Sequence, residues 1–312
     1  MARADSGTER GGNGLERPAA DPLDPRFPLP EGPATGPAVV TAVLVARNEE
    51  RNIEACLSRL SWVDRILVID DGSTDATVSV AARYTKWILP GAPQSGADPN
   101  HAHQNEAFRL VPQGWILQID ADERVSARLG EEVRRVITVG REAAYRVPFC
   151  TAILGRWVRH GYWGAETSLI RLVRAGSAHY PLHAVHESLV VDGSVGTLRC
   201  PIYHLPYPTV AEYVRKTDLY TSREVATILA GRSRGISGSG SSALHPSAWR
   251  LFSSPARIFF WSFLRRGGFR EGRWGMATSL MLSFYAFLET LKVWERAEGL
   301  DQPPALPEEP RS

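Results

Sequence analysis

The chain has 312 residues, 43% of them hydrophobic and 22% charged, the composition of an ordinary globular protein with room for a sizeable core. A formal net charge of +2 provides no global field for nucleic acid. Three cysteines (Cys56, Cys150 and Cys200), odd in number and without metal-ligand spacing, argue against a disulfide framework or a zinc site and for a reducing cytoplasm. Lys occurs only at 86, 216 and 292, and every other basic position is Arg. A GC-rich genome accounts for that bias; a need for planar anion-binding forks would do so as well.

Residues 1–38 are rich in Pro, Gly and charge and lack apolar periodicity, so they read as a disordered tail with no secretion signal. Order begins at 39–46, "VVTAVLVA", a continuous apolar run suited to a central parallel strand. Ile53, Cys56, Leu57 and Leu60 then recur at helical spacing. "RILVID" at 65–70 is a second buried strand, followed by a helix with Thr77, Val80, Ala81 and Tyr84 on one face and Ser73 or Thr74 available as its cap. "KWIL" at 86–89 is a third short strand, and a helix covers 101–110. "WILQI" leads into Asp120-Ala121-Asp122-Glu123, and "SARLGEEVRRVI" is the next helix, with Leu129, Val133, Val136 and Ile137 inward. Such alternation predicts a doubly wound, mostly parallel α/β sheet.

From 143 to 204 the strand signals shorten ("AYRVPF", "SLIRLV", "ESLVV", "TLRCPIYH"), which predicts an antiparallel addition to the same sheet. Beyond 209 the chain reads as helical: "TVAEYVRKTDLYTSREVATILA", a Gly/Ser linker at 231–242, and two apolar helices. The first is expected to start at Ser254 as cap with Pro255 in its first turn. The second carries no charge from Trp274 to Leu288, a run too short to span a bilayer comfortably. Between them lies "RRGGFREGR". Aromatic helices joined by a basic loop suit an interfacial membrane anchor; a helical cap packed on the domain is the alternative. The expected organisation is a 1–38 tail, a 39–208 α/β domain, a 209–296 helical region and a 297–312 tail.

Ligands of open parallel sheets sit at the carboxyl ends of the strands. Three strands here end in acid-bearing segments: Arg47-Asn48-Glu49, Asp70-Asp71-Gly72-Ser73-Thr74-Asp75, and Asp120-Ala121-Asp122. Neither a G-x-G-x-x-G after the first strand nor a P-loop is present. Acids in place of glycines at a phosphate-sized site suggest phosphates held through Mg²⁺ or Mn²⁺, which take one or two carboxylates plus substrate oxygens.

"VLVARNEERNIEACLSRL", "ILVIDDGSTDATVSVAARY" and "WILQIDADERV" resemble the inverting glycosyltransferases of family 2, which have a GT-A fold. "ILGRWVRHGYW", "SLIRLVRAG", "VHESLVVDG", "IYHLPYPTVAEYVRK" and "RRGGFREGRWG" resemble the branch that contains lipopolysaccharide core glucosyltransferases. The resemblance spans residues 40–296. It implies transfer of a sugar from a nucleotide-sugar donor, typically UDP-linked, to a hydroxyl of a glycan or lipid-linked acceptor at the cytoplasmic face of the inner membrane. Ala46, Arg47, Asn48 and Glu49 match the segment around base and ribose, and Asp70 matches the acid that reads the base. Asp120 and Asp122 match the family's Asp-x-Asp, Asp120 toward ribose and Asp122 toward the metal, with His204 matching a later metal-completing histidine. Glu187, or else Glu166, is the candidate base that deprotonates the acceptor, and Arg171 would steady the diphosphate.

Relatives often carry Gln-Lys-Asn where this chain has His103-Gln104-Asn105, so Asn105 keeps the donor-site match while a diphosphate lysine is missing. Plainer readings accompany the functional ones. Asp71, Ser73 and Asp75 read as a turn and helix cap, and Glu123-Arg124 as a surface pair. His160, His179 and His183 read as ordinary surface or core histidines, while His186 lies beside Glu187. Trp157, Tyr162 and Trp163 either stack on an acceptor sugar or pack in a core. Two rival functions remain at this point: an aspartyl phosphatase, which wants a hydroxyl after the second Asp and finds Glu123-Arg124, and a membrane scaffold on a retired transferase frame.

Overall fold

The computed structural model describes residues 39–91, 99–164, 168–181, 189–229, 235–236 and 248–299. The strands are β1 (Val40–Ala46), β2 (Arg65–Asp70), β3 (Ile88–Pro90), β4 (Trp115–Gln118), β5 (Glu123–Val125), β6 (Ala144–Ile153), β7 (Arg156–Val158), β8 (Ser168–Arg174), β9 (Ala178–His179), β10 (Val190–Val191), β11 (Val195–Thr197) and β12 (Ile202–Tyr207). The helices are α1 (Ile53–Leu57), α2 (Thr77–Ala81), α3 (Pro99–Arg109), α4 (Ala127–Val139), α5 (Gly161–Gly164), α6 (Val210–Leu229), α7 (Ala248–Phe260) and α8 (Arg273–Ala297).

One mixed sheet carries the order β3-β2-β1-β4-β8-β6-β12-β5, with β7 and β11 also paired to β6. Its first four strands are parallel, and β8 enters antiparallel to both β4 and β6. This is the mixed α/β sheet expected from the alternating first half and the shorter strands that follow. Apolar side chains on the two faces form separate cores. One gathers Leu44, Leu57, Trp115, Leu129 and Val133 with α1 and α4, and the other gathers Val43, Leu67, Phe108 and Ile116 with α3. Burial on both faces is why β1, β2 and β4 read as unbroken apolar runs.

Several local expectations are corrected. Neither Ser73 nor Thr74 caps α2: Asp75 Oδ1 accepts the Thr77 N–H at 2.9 Å, while Ser73 Oγ accepts the Asn48 N–H at 3.0 Å. "TLRCPIYH" is two strands, β11 and β12, because the Glu132 carboxylate takes the Arg199 and Cys200 N–H groups and Pro201 has none to give. α7 begins before Ser254 and holds Pro255 in its interior, followed by a π-helical turn over Trp261–Arg265. Pro255 O accepts the Ser283 hydroxyl of α8 at 3.0 Å, so packing on α8 overrides the local preference for a start at that proline.

α6 and α7 both pack on α8 through buried Val225, Ile228, Ile258, Leu282, Ala286 and Val293. The glycines of "RRGGFREGRWG" make the joint. Gly267 (φ +74°) and Gly272 (φ +59°) adopt left-handed backbone, and a Cβ at Gly275 would collide with the Gly268 backbone. Among the described residues no helix is long and apolar enough to cross a membrane.

Candidate active site

The ends of β1, β2 and β4 and the following β5 bring the acid-bearing segments together. Parallel pairing sets Ala46 opposite Asp70, and the Asp71 N–H donates to Ala46 O at 2.9 Å. Asn48, left-handed at φ 55°, turns the chain there, and its Oδ1 accepts the Thr74 N–H at 2.8 Å. The first two segments therefore form one hydrogen-bonded rim. Asp70 accepts the Ser73 N–H at 3.2 Å. Glu49 closes the rim toward the interior: burial pushes its carboxyl up, against the Asn52 amide bonded at 2.7 Å and the positive charge of Lys216.

Arg47 is half exposed and lies 3.5 Å from Asp71. Asp71 also meets buried His103 Nε2 at 3.0 Å, so it does more than shape a turn. Asp75 has the capping role expected of it. Asn105 fixes the loop opposite: its Nδ2 donates to Tyr180 O at 2.7 Å and its Oδ1 accepts the Tyr180 N–H at 2.8 Å.

Asp120 and Asp122 differ in surroundings. The Asp120 side chain is 41% exposed and meets Arg171 at 2.7 Å. Asp122 points inward, with Oδ2 2.8 Å from Lys216 Nζ and Oδ1 3.6 Å from His204 Nε2. Burial pushes the Asp122 carboxyl up, but Lys216 and then His204 outweigh it and hold it below the usual carboxylate range. Burial conversely pulls the His204 imidazole down, against the attraction of Asp122 and Asp120. The result is an ionised carboxylate beside a neutral ring nitrogen, the protonation states that a divalent cation requires of its ligands.

Four residues were not read from the sequence, or were read wrongly. Glu123 is not a surface residue. It is fully buried on β5, its Oε1 2.5 Å from Arg171 and its Oε2 accepting the Asp120 N–H at 3.0 Å. Burial drives its carboxyl well above the ordinary range, against the pull of Arg171. Arg171 is itself buried and spans Asp120 and Glu123, with its guanidinium 5.5 Å from the Phe149 ring. Arg124 likewise turns inward and donates to Ala121 O and Glu123 O at 2.7 and 2.8 Å. Lys216 carries no short motif; its signal was its rarity, one of three lysines in the chain.

Glu166, Glu187, His183 and His186 lie outside the described residues. His160 pairs with Glu271 at 2.8 Å and His179 is exposed on β9. Trp163 is edge-on to both Tyr207 and Tyr213, a packed aromatic cluster, whereas Trp157 is 53% exposed over Tyr203.

Among the described residues no group of three His, Cys, Asp or Glu side chains is placed to hold a metal by itself. Asp122 and His204 offer two adjacent donors of the right type, and Mg²⁺ or Mn²⁺ is ordinarily completed by substrate phosphates and water. The residues present fit such a shared site.

The family described as "Glycosyl transferase family 2" matches residues 41–163. The chain is 26% identical over 264 residues to the lipopolysaccharide core biosynthesis glycosyltransferase LpsC of Rhizobium meliloti, across 82% of this chain and 92% of that one. It is 25% identical over 272 residues to an uncharacterized glycosyltransferase of Rickettsia felis, across 82% and 89% of the two chains. Among solved structures, S. aureus TarS 1–349 in complex with UDP-GlcNAc matches with a TM-score of 0.45 at 12% identity, covering 84% of this chain and 92% of that one.

Proposed function

We propose that the chain, a glycosyltransferase whose residues 41–163 match family 2, transfers a sugar, with inversion, from a UDP-sugar to a hydroxyl of a lipid-linked glycan of the lipopolysaccharide core. The observation that carries this reading is the convergence of Asp122 and His204, from β4–β5 and β12, at 3.6 Å inside a rim built by Asn48, Asp70 and Asp120. Asp70 and the Asn48 turn hold the base, and half-exposed Asp120 takes a ribose hydroxyl. Asp122 and His204 hold Mg²⁺ or Mn²⁺, which when bound neutralises charge growing on the departing diphosphate. Arg171 acts here by fixing Asp120, not by direct contact with phosphate. Glu187 is the proposed acceptor base and Glu166 the reserve, since an inverting transfer needs a carboxylate opposite the leaving group.

Asp122→Asn tests the assignment. The amide oxygen still accepts from Lys216, so the thermal melt stays near wild type, while Mn²⁺-dependent donor turnover and hydrolysis disappear. Turnover within a few-fold of wild type in that variant sinks it. Screening nucleotide sugars for metal-dependent thermal stabilisation identifies the donor.

The helical region supports peripheral binding to an anionic membrane face. Trp249, Phe252, Phe260 and Leu264 follow one side of α7 and its π turn at spacings of three to eight, and Met276, Leu280 and Phe284 follow one side of α8; all are exposed. Arg265, Arg266 and Arg270 flank them and, with Leu264 and Phe269, line an open depression. An apolar stripe edged by arginines matches the boundary between acyl chains and anionic headgroups.

A further inference from the structure

Lys216 lies in α6, nearly buried, with its ammonium 2.8 Å from Asp122 Oδ2. That is the carboxylate to which the metal is assigned. A dication arriving at Asp122 meets a buried positive charge a few ångströms away, in a setting where water screens poorly. Glu49 is the other carboxylate that acts on Lys216, but it is itself bonded to Asn52, so the two cations sit together more readily when a further anion enters the site. The donor's diphosphate is such an anion. Among the described residues, Arg171 is committed to Asp120 and Glu123, Arg124 to two backbone carbonyls, and Arg47, on the outer rim, pairs with Asp71 at 3.5 Å. Gln104 and its neighbour His103 are buried, and His103 is bonded to Asp71.

We propose that Lys216 is a transferable counter-charge. In the donor-free enzyme it neutralises Asp122; when the metal and diphosphate bind, it passes from Asp122 to the diphosphate and supplies a cation that the His103-Gln104-Asn105 segment does not. This inference rests on the metal-dependent donor site proposed above. Lys216 and the metal thus compete without donor and act together with it.

The opposite signs make the proposal testable by binding alone. Titration calorimetry is done on wild type and Lys216→Met, first with MnCl₂ on the donor-free protein, then with UDP at saturating Mn²⁺. Lys216→Met is expected to bind Mn²⁺ severalfold more tightly, because the internal competitor is gone, and to bind UDP about ten- to a hundredfold more weakly, the loss of one charge-assisted contact. Lys216→Gln, which keeps a donor on Asp122 and therefore the packing of α6, is expected to shift both constants in the same directions. If both affinities fall together in the folded variants, or neither moves, Lys216 is only a structural partner of Asp122 and the proposal is overturned. A wild type that binds no UDP in the presence of Mn²⁺ instead overturns the donor-site reading beneath it.

Discussion

Arg171→Met tests whether the buried charge cluster beneath the site is structural. Wild-type Arg171 is 6% exposed and bonds Asp120 at 2.7 Å and Glu123 at 2.5 Å, while Glu123 has no exposed surface. An exposed ion pair contributes about 0–1 kcal/mol, whereas removing one partner of a buried pair costs roughly 3–5 kcal/mol, because Glu123, already pushed up by burial, must then either stay charged without water or counter-ion or take up a proton. Burial decides between the two, so the larger figure applies. For a protein of this size each kcal/mol moves Tm by about 2–4 °C, which places Arg171→Met roughly 6–20 °C below wild type. Urea unfolding followed by tryptophan fluorescence and a thermal melt both read the effect. Arg171→Met combined with Glu123→Met removes the buried charge from both sides and is expected to recover most of the loss. A single variant within about 1 kcal/mol of wild type would return Glu123 to the surface pair that its sequence neighbours suggested and refute the reasoning.

Two further outcomes follow from the same structure. Burial pushes Glu132 up, but the Cys200 and Arg199 N–H groups outweigh it and hold its carboxyl below the ordinary 4.5. Its contribution is thus present above about pH 4.5 and lost as pH falls through the lower folded value. Glu132→Gln is expected to cost about 1–2 kcal/mol at neutral pH and almost nothing near pH 3, measured by urea unfolding at the two pH values; a difference that persists in acid contradicts the linkage. At the helical surface, Phe252→Ser with Leu280→Ser removes two exposed apolar side chains, and Arg265→Gln with Arg270→Gln removes two charges. Each pair is expected to cut sedimentation with phosphatidylglycerol vesicles by tenfold or more, at about 1 kcal/mol or more per residue. Unchanged sedimentation in both pairs rules out this face.

What was legible in the sequence divides by range of interaction. β1, β2 and β4 were readable because strands buried on both faces need continuous apolar runs, and α4 because Leu129, Val133 and Ile137 keep its period. The rim of Asn48, Asp70 and Asp120 was readable because strand ends in a parallel sheet meet at one edge. Partners from distant segments were not. Lys216 reaches Asp122 across 94 positions and Arg171 reaches Glu123 across 48, pairings that no local pattern encodes. Glu123 was misread for the same reason: beside Arg124 it looks like a solvated pair, and only β8 behind it shows that its counter-ion is elsewhere. Pro255 failed as a helix-start signal because the packing of α7 on α8 outweighs a local preference.

The contrast between the two aspartates of Asp120-Ala121-Asp122 gives the site its direction. Both carry a cationic partner, but Arg171 is shared with Glu123 from below and leaves Asp120 facing outward, 41% exposed. Asp122 faces inward to Lys216 and His204, on elements that follow the sheet's first half in sequence. A ligand entering over the rim of β1 and β2 therefore meets Asp120 with a fixed counter-charge and Asp122 with an exchangeable one. Fixed pairing suits a hydrogen bond to a neutral hydroxyl, since no charge must move. Exchangeable pairing suits a cation and a diphosphate, whose arrival redistributes charge around Asp122 and needs a side chain long enough to follow it. A lysine on a helix facing the strand ends has that reach, and an arginine locked between two acids does not.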